Sequence, residues 1–403
     1  MPDHPNQPHE YDAVLGGQTP IPTDSAILGG IEGIKRRWAS AIEEQRIAAL
    51  SEALKYGEAG LNLVIGALQN ESVQVEKTAY LLLSERAEPG PGVKYALRSY
   101  TPWRLLTCLR TLIGHSGGSV GSVVISPDGQ TLVSASKADN TIKVWHLMTG
   151  ELLRTIEGHT GRNNSVAISP DGKTIVSGSD NTINIWNLVT GELLRTLQGH
   201  SSSRLSIAIS PDGQTLVSAS WGNYIKVWHL ATGELIRTLE GYSGSAYPDF
   251  CGPLAISPDG LTLVSGTSDN TIKFWHLVHG DLLKTISRST FTSSLAFSPD
   301  GQALVGSDQY KTITVWHLAT GQFLRTIEGH SPYVFSLAFS ADGQTLVGGS
   351  DDNTIKVWHF PTRELKTTLE GHSDSIRSVA ISPDGKTIVS GSDDGTIKIW
   401  GMP

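Results

Sequence analysis

Cysteine is nearly absent from this chain. The 403 residues hold two, Cys108 and Cys251, in unrelated contexts. That excludes a disulfide framework and any cysteine-based metal spacing, and reduced thiols in a cytosol are the expected setting. Long apolar runs are absent too: none approaches the roughly 18–20 residues needed to cross a bilayer. The first residues, "MPDHPNQPHEYD", carry no basic-then-apolar signal segment. A cytoplasmic protein with no membrane association is expected. Charge is scarce, at 17% of residues, and the balance is −8, which gives a nucleic-acid partner no general electrostatic support. What is abundant is glycine, 43 residues, alongside 38% hydrophobic residues. This is the composition of a folded, turn-rich β protein.

From about residue 108 the chain repeats itself. Seven tryptophans, Trp145, Trp186, Trp228, Trp275, Trp316, Trp358 and Trp400, are spaced by 41, 42, 47, 41, 42 and 42 residues. Each unit carries a Ser-Pro-Asp-Gly turn, altered to Ser-Ala-Asp-Gly at 340–343. In a unit such as "SVAISPDGKTIVSGSDNTINIWNLVTGELLRTLQ" (165–198), alternating Ile, Val and Leu give four strand signals of period two. The Pro-Asp-Gly and Thr-Gly-Glu clusters give the turns.

Four-stranded units of about 42 residues, with Gly-His before and Trp after, resemble WD repeats. The resemblance implies a seven-bladed β-propeller of four-stranded antiparallel blades over residues 105–403. The chain ends three residues after Trp400, so the last blade has only three strands of its own. An orphan outer-strand pattern, "LLTCLRTLIGH" (105–115), precedes the first Ser-Pro-Asp-Gly. That segment is predicted to complete the last blade and close the ring.

Blade one offers His115, Ser134, Asp139 and Trp145, blade two His159, Ser177, Asp180 and Trp186, and blade seven His372, Ser390, Asp394 and Trp400. Ser, His and Asp together suggest a hydrolase. A catalytic set, however, needs one cleft, and this one recurs blade after blade. The resemblance implies instead a structural hydrogen-bond chain that satisfies buried polar groups. Blades three to six depart from it: Gly222 stands for Asp, Tyr242 for His, Gly306 for Ser, Tyr310 for Asp and Gly348 for Ser.

The same irregular blades carry aromatic residues in the loops of one rim: Trp221, Tyr224, Tyr242, Tyr247, Phe250, Phe291, Tyr310 and Tyr333. Rigid rings on a polar rim are efficient binding anchors, and these are the candidate partner-binding residues. Packing repair around missing His and Asp is the competing account for Tyr242 and Tyr310. Arg162, Arg204, Arg288 and Arg377 share these loops and are read singly as solvated charges. Asp249 and Asp308 are the only additional acids there.

Five blades also read Trp-His, with His146, His229, His276, His317 and His359. One histidine per blade, at strand ends separated by more than roughly 10 Å, cannot share a metal ion. No metal site and no cofactor are expected.

Residues 1–30 read as an irregular arm. Residues 31–104 turn to helical periodicity, and "LNLVIGALQNESVQVEKTAYLLLSER" (61–86) resembles a HEAT repeat. The whole is expected to be a non-enzymatic scaffold that binds another, unidentified, protein through the propeller rim, especially blades three to six. It would act as a monomeric propeller or as a subunit of a larger assembly. A small-ligand sensor binding at the channel mouth is the alternative. An enzyme would require a non-repeated set of convergent carboxylates or metal ligands, and none is found.

Overall fold

A computed structural model describes residues 30–69, 72–85, 92–93 and 105–402, apart from 117, 137, 159–164, 180, 201–204, 221–223, 241–251, 268, 309–311 and 330–332. The chain divides between Leu105 and Leu106 into two compact units. The first contains the helices α1 (Gly30–Trp38), α2 (Glu43–Ala53), α3 (Gly57–Gly66) and α4 (Val73–Ser84). They bury Ile34, Leu50, Ala53, Val64, Val75, Ala79 and Leu83 in a core of their own. Gly60 permits the close approach of α2 and α3, since a Cβ there would lie 1.7 Å from the carbonyl oxygen of Ala53.

The second unit holds twenty-eight strands among the described residues, numbered β1 to β28 in chain order, in seven four-stranded antiparallel sheets. Blade one is β2 (Val120–Ile125), β3 (Thr131–Ser136), β4 (Ile142–His146) and β5 (Leu152–Ile156). Five further blades repeat this order. The last combines β26 (Ile376–Ile381), β27 (Ile388–Ser392) and β28 (Thr396–Gly401) with β1 (Thr107–Ile113) from the other end of the unit. β1 runs antiparallel to β28, from Thr107 opposite Gly401 to Ile113 opposite Thr396. The ring closes as the orphan segment predicts.

A sheet blade is apolar on both faces and must be covered twice. Six of the repeat tryptophans, Trp145 to Trp358, serve this need at a junction. Trp145 packs with Val389, Ile397 and Ile399 of blade seven, and Trp186 with Val133 and Val144 of blade one. Trp228 likewise meets Val176 and Ile185 of blade two, and Trp358 meets Val305 and Val315 of blade five. Burying an indole on the preceding blade removes a large apolar area from water, a contribution of about 2–3 kcal/mol each.

Polar contacts tie the same junctions in two further places. Near the axis, a serine hydroxyl on one innermost strand accepts the backbone N–H of the next: Ser122 from Val166, Ser165 from Ile207, Ser294 from Leu337, Ser336 from Val379 and Ser378 from Val123, at 3.0–3.3 Å. Blade four has Pro253 at this register, which has no hydroxyl to offer. At the periphery, a cation on each outer strand reaches a turn carbonyl of the following blade. Arg110 donates to Met148, Arg154 to Val189, Arg195 to Ala231, Arg237 to His279, Lys284 to Leu318 and Ala319, and Arg325 to Phe360. Lys366 of blade six instead bonds Glu364 on its own strand at 2.7 Å.

The structure makes β1 a structural requirement. A chain beginning after Ile113 leaves the outer edge of β28 unpaired and removes Leu112 from Ile397 and Ile399. We expect a loss of at least about 5 kcal/mol, roughly 10 °C in Tm, and self-association through the new edge. Calorimetry and analytical ultracentrifugation of this truncation check it; an unchanged Tm in a monodisperse sample contradicts the closure.

Candidate functional site

The Ser, His and Asp residues come together as chains leading to tryptophan. In blade one the Trp145 indole donates to Ser134 Oγ at 2.9 Å, Ser134 Oγ lies 2.8 Å from His115 Nε2, and His115 Nδ1 lies 3.0 Å from Asp139 Oδ2. Blade seven repeats the path through Trp400, Ser390, His372 and Asp394 at 2.9, 2.7 and 2.8 Å. Burial holds both imidazoles below the ordinary histidine pKa, against the opposing pull of their aspartates. With a neutral ring whose Nδ1–H points at the carboxylate, the serine hydroxyl donates to Nε2. Ser134 and Ser390 have no exposed surface, so neither hydroxyl can meet a substrate. The aspartates then hold the loop: Asp394 takes bonds from Ser373 N, Thr396 N and Thr396 Oγ1. Burial would raise its pKa, but these donors together with His372 bring it down to about 2.

In blade two, Trp186 donates to Ser177 at 2.9 Å, while His159 and Asp180 lie outside the described residues. Blade three continues the chain without an aspartate: Trp228 donates to Ser218 at 2.8 Å, Ser218 meets His200 Nε2 at 2.7 Å, and Nδ1 meets Ser220 at 2.8 Å. With no carboxylate to favour the cation, burial takes the His200 pKa to about 4, helped by nearby Lys226.

Blade five has a different solution. A Cβ on Gly306 would lie 2.9 Å from the Trp316 ring, so the indole fills the space of the serine. Arg288 enters from the loop and stacks 4.9 Å above Trp316, donating to Asp308 Oδ2 and Thr314 Oγ1 at 3.1 Å and to Thr292 Oγ1 at 2.9 Å. Both members of the ion pair are under one-tenth exposed. The reading of Arg288 as a solvated charge is therefore corrected: with Asp308, one of the additional acids of this rim, it forms a buried pair standing in for the histidine chain. The signal was present in the sequence as four coincident departures in one blade, Arg288, Gly306, Asp308 and Thr314.

The Trp-His histidines cap turns. His146, His229, His276 and His317 accept, at Nδ1, the backbone N–H three residues on, at 3.1–3.4 Å, and His359 Nδ1 meets Thr362 Oγ1 at 2.8 Å. Asn187 Oδ1 does the same work in blade two, taking Val189 N and Thr190 N at 2.9 Å. Among the described residues, no group of three or more His, Cys, Asp or Glu is placed to hold a metal, and no helix is long and apolar enough to cross a membrane.

Of the aromatic candidates, Trp221, Tyr242, Tyr247, Phe250 and Tyr310 lie outside the described residues, as do Arg162, Arg204 and Asp249. Tyr224 begins a third strand with 47% of its surface exposed, Tyr333 is 37% exposed, and Phe291 is half-buried. Tyr333 belongs to a cluster that sequence reasoning did not foresee. Its ring lies parallel to that of Phe335, with centroids 6.0 Å apart, and the Arg377 guanidinium sits 4.1 Å from the Phe335 centroid. Arg377 pairs with Asp393, which also accepts from Ser119 of blade one. Phe335 and Arg377 occupy bulges, between Val334 and Ser336 and between Ile376 and Ser378. An extra residue there disrupts the strict in-out alternation, which is why Phe335 went unmarked and Arg377 was read as a solvated charge and not as its stacking partner.

Two predictions follow from these chains. His200 carries its proton only near pH 4 when folded but near 6.5 when unfolded. Its contribution is complete above pH 6.5 and is lost as pH falls from 6.5 toward 4, where the unfolded chain binds the proton first. At about 1.4 kcal/mol per pH unit this amounts to about 3 kcal/mol. His200→Gln should flatten the fall in denaturant-measured stability across that window, and a curve parallel to wild type refutes the assignment. Arg288→Ala should cost about 3–5 kcal/mol because it strands Asp308, while adding Asp308→Ala should recover part of the loss. Thermal unfolding of single and double variants reads this coupling; strict additivity would contradict the pair.

Comparisons with known proteins agree with this geometry. An uncharacterized WD repeat-containing protein of Synechocystis is 35% identical over 71 residues, covering 18% of this chain and 20% of that protein. A nuclear distribution protein, PAC1-2, of Uncinocarpus reesii is 35% identical over 80 residues, covering 18% of this chain and 17% of its own length. The matches thus span about a fifth of these relatives. The model of the WD domain, G-beta repeat, matches seven stretches: 106–146, 150–187, 191–229, 233–276, 280–317, 321–359 and 363–401. With each stretch falling on one turn of the repeating sheet, the chain belongs to the WD-repeat family.

Proposed function

We propose that this protein is a non-catalytic scaffold whose loop rim receives another protein. WD-repeat propellers are generally interaction platforms, and that role asks for a rigid ring with variable loops. The observation that carries the reading is the pairing of exposed Tyr333 with the Phe335–Arg377–Asp393 cluster. There a strained backbone and stacked rings present an aromatic face to solvent. The opposite rim is built from repeated Ser-Asp turns in which Asp128 Oδ1, and its counterparts at Asp171 and Asp212, are taken up by the turn itself. Blades three to six contribute Tyr224 and Phe291, and the sequence candidates Trp221, Tyr247 and Phe250 belong to the same reading though they lie outside the described residues. The helical unit, with its HEAT-like sequence, offers a second surface in a cytoplasmic assembly.

Affinity purification from the native cell tests this. Tyr224→Ala with Tyr333→Ala should reduce recovery of co-purifying protein at least about tenfold. Met148→Ala with Val189→Ala, on exposed positions of the turn rim, should leave it unchanged. Equal recovery from both folded double variants would overturn the loop-rim assignment.

A further inference from the structure

Among the non-glycine residues with left-handed backbone, Asn140, Asn270 and Asn353 are of the type that tolerates it, and Arg363 sits in a turn where other blades have glycine. Tyr333, at φ 59°, is the aromatic exception. A bulky residue in this region is strained and persists where the surroundings impose it. Here the Tyr333 carbonyl is fixed by two donors from the next loop, Asp351 N and Ser350 Oγ, both at 3.0 Å. The backbone that turns the ring outward is thus the backbone bonded to Asp351.

Asp351 is linked in turn to blade seven. Ser375, itself buried, gives its hydroxyl to Asp351 Oδ1 at 2.6 Å and its amide to Asp374 Oδ1 at 2.7 Å. Both carboxylates are exposed. The other acids of these two loops are taken up within the protein: Asp352 pairs with Lys356 and Asp393 with Arg377, while Asp394 accepts from the neutral His372 ring, from Ser373 N and from Thr396. Asp351 and Asp374 have no cationic partner among the described residues. The corner where blades six and seven meet therefore combines an outward aromatic ring with two carboxylates of unbalanced charge.

A filled version of this arrangement lies one position inward. The Arg377 guanidinium stacks on Phe335 and is bound by Asp393 through both Nε and an Nη. A flat, forked cation matches a ring face and a carboxylate together, which a compact ammonium does less well. Tyr333, stacked on Phe335, carries a solvent-facing ring at the same corner as the exposed Asp351 and Asp374.

We propose that this corner binds an arginine side chain of the partner protein, its guanidinium stacked on Tyr333 and paired with Asp351 and Asp374. The proposal rests on the platform reading and names the partner's chemistry: a cationic segment containing arginine. Acidic and purely apolar segments are disfavoured by the two carboxylates, and rings of the partner would compete only for the stacking half of the site.

The test uses the full chain and a fluorescein-labelled peptide, Gly-Ser-Arg-Gly-Ser-Arg-Gly-Ser, with otherwise identical lysine and citrulline versions, read by fluorescence polarisation. The arginine peptide should bind at least about tenfold more tightly than the citrulline peptide and several-fold more tightly than the lysine peptide. Asp351→Asn with Asp374→Asn should abolish the advantage over citrulline. Tyr333→Gly should lose binding with an unchanged or higher Tm, because glycine relieves the left-handed strain. Equal binding of the arginine and citrulline peptides, or no binding of the arginine peptide up to about 1 mM, overturns the proposal. So does retention of the arginine preference in the double Asn variant. The wild-type comparison needs no variant to fold. If Tyr333→Ala abolishes native partner capture while no arginine preference exists, the platform stands and the guanidinium assignment falls.

Discussion

Everything in the β unit depends on closing a ring. A four-stranded blade exposes two apolar faces and two edges, and seven blades in a circle cover each face with a neighbour. The arrangement fails if one junction is left open. The chain meets this constraint by pairing β1 with β28, so that the last blade is held by segments nearly 300 positions apart in sequence. Closure then lets the junctions carry the stability: an indole from one blade against the strands of the one before, serine hydroxyls near the axis, and cationic side chains at the periphery. The individual polar contacts are modest, since each replaces a bond to water. Their repetition around a closed path is what makes them matter.

Closure also separates stability from local chemistry, and blade five shows how far that freedom extends. The demand at this position is general: support the tryptophan, satisfy the buried polar groups, and tie a loop to the second and third strands. Ser134, His115 and Asp139 meet it in one way. Ser218, His200 and Ser220 meet it without a carboxylate, leaving the imidazole with a strongly depressed pKa. Arg288 and Asp308 meet it with a stacked cation and an ion pair. What recurs is the requirement for a satisfied buried network, and a catalytic reading of Ser, His and Asp mistakes that requirement for a cleft.

The ring was legible in the sequence because its signals are periodic and redundant. Seven tryptophans at nearly constant spacing and an orphan outer-strand pattern were enough to specify blade number and closure. The residues that form the chains of blades one and seven stand out in the sequence for the same reason, their recurrence at one spacing. The Arg288–Asp308 pair was not, because a lone arginine in "SRST" resembles a solvated loop residue until its three coincident partners in the blade are considered with it. Phe335 was missed, and Arg377 was read only as a solvated charge, for a geometric reason: both sit at bulges, where two residues face one and alternation no longer assigns sides. The Trp-His array was legible only as a register. Its role as a turn acceptor becomes clear when Asn187 is seen taking the same amide hydrogens.

The junction between blades six and seven gathers several departures from the repeat. Ala341 replaces the proline that elsewhere lies beside a glycine of the following blade, and a Cβ on Gly385 would accordingly meet nothing within 4 Å. Lys366 turns to its own strand rather than reaching across. On the opposite rim the same two blades are joined more heavily, through Ser375 to Asp351 and Arg377 over Phe335. Contacts given up on the turn rim are thus matched by contacts on the loop rim, around the strained Tyr333. The serine-to-aspartate link is itself part of the repeat, since Ser119 of blade one reaches Asp393 in the same way, whereas the stacking of Arg377 on Phe335 and the left-handed backbone of Tyr333 belong to this junction.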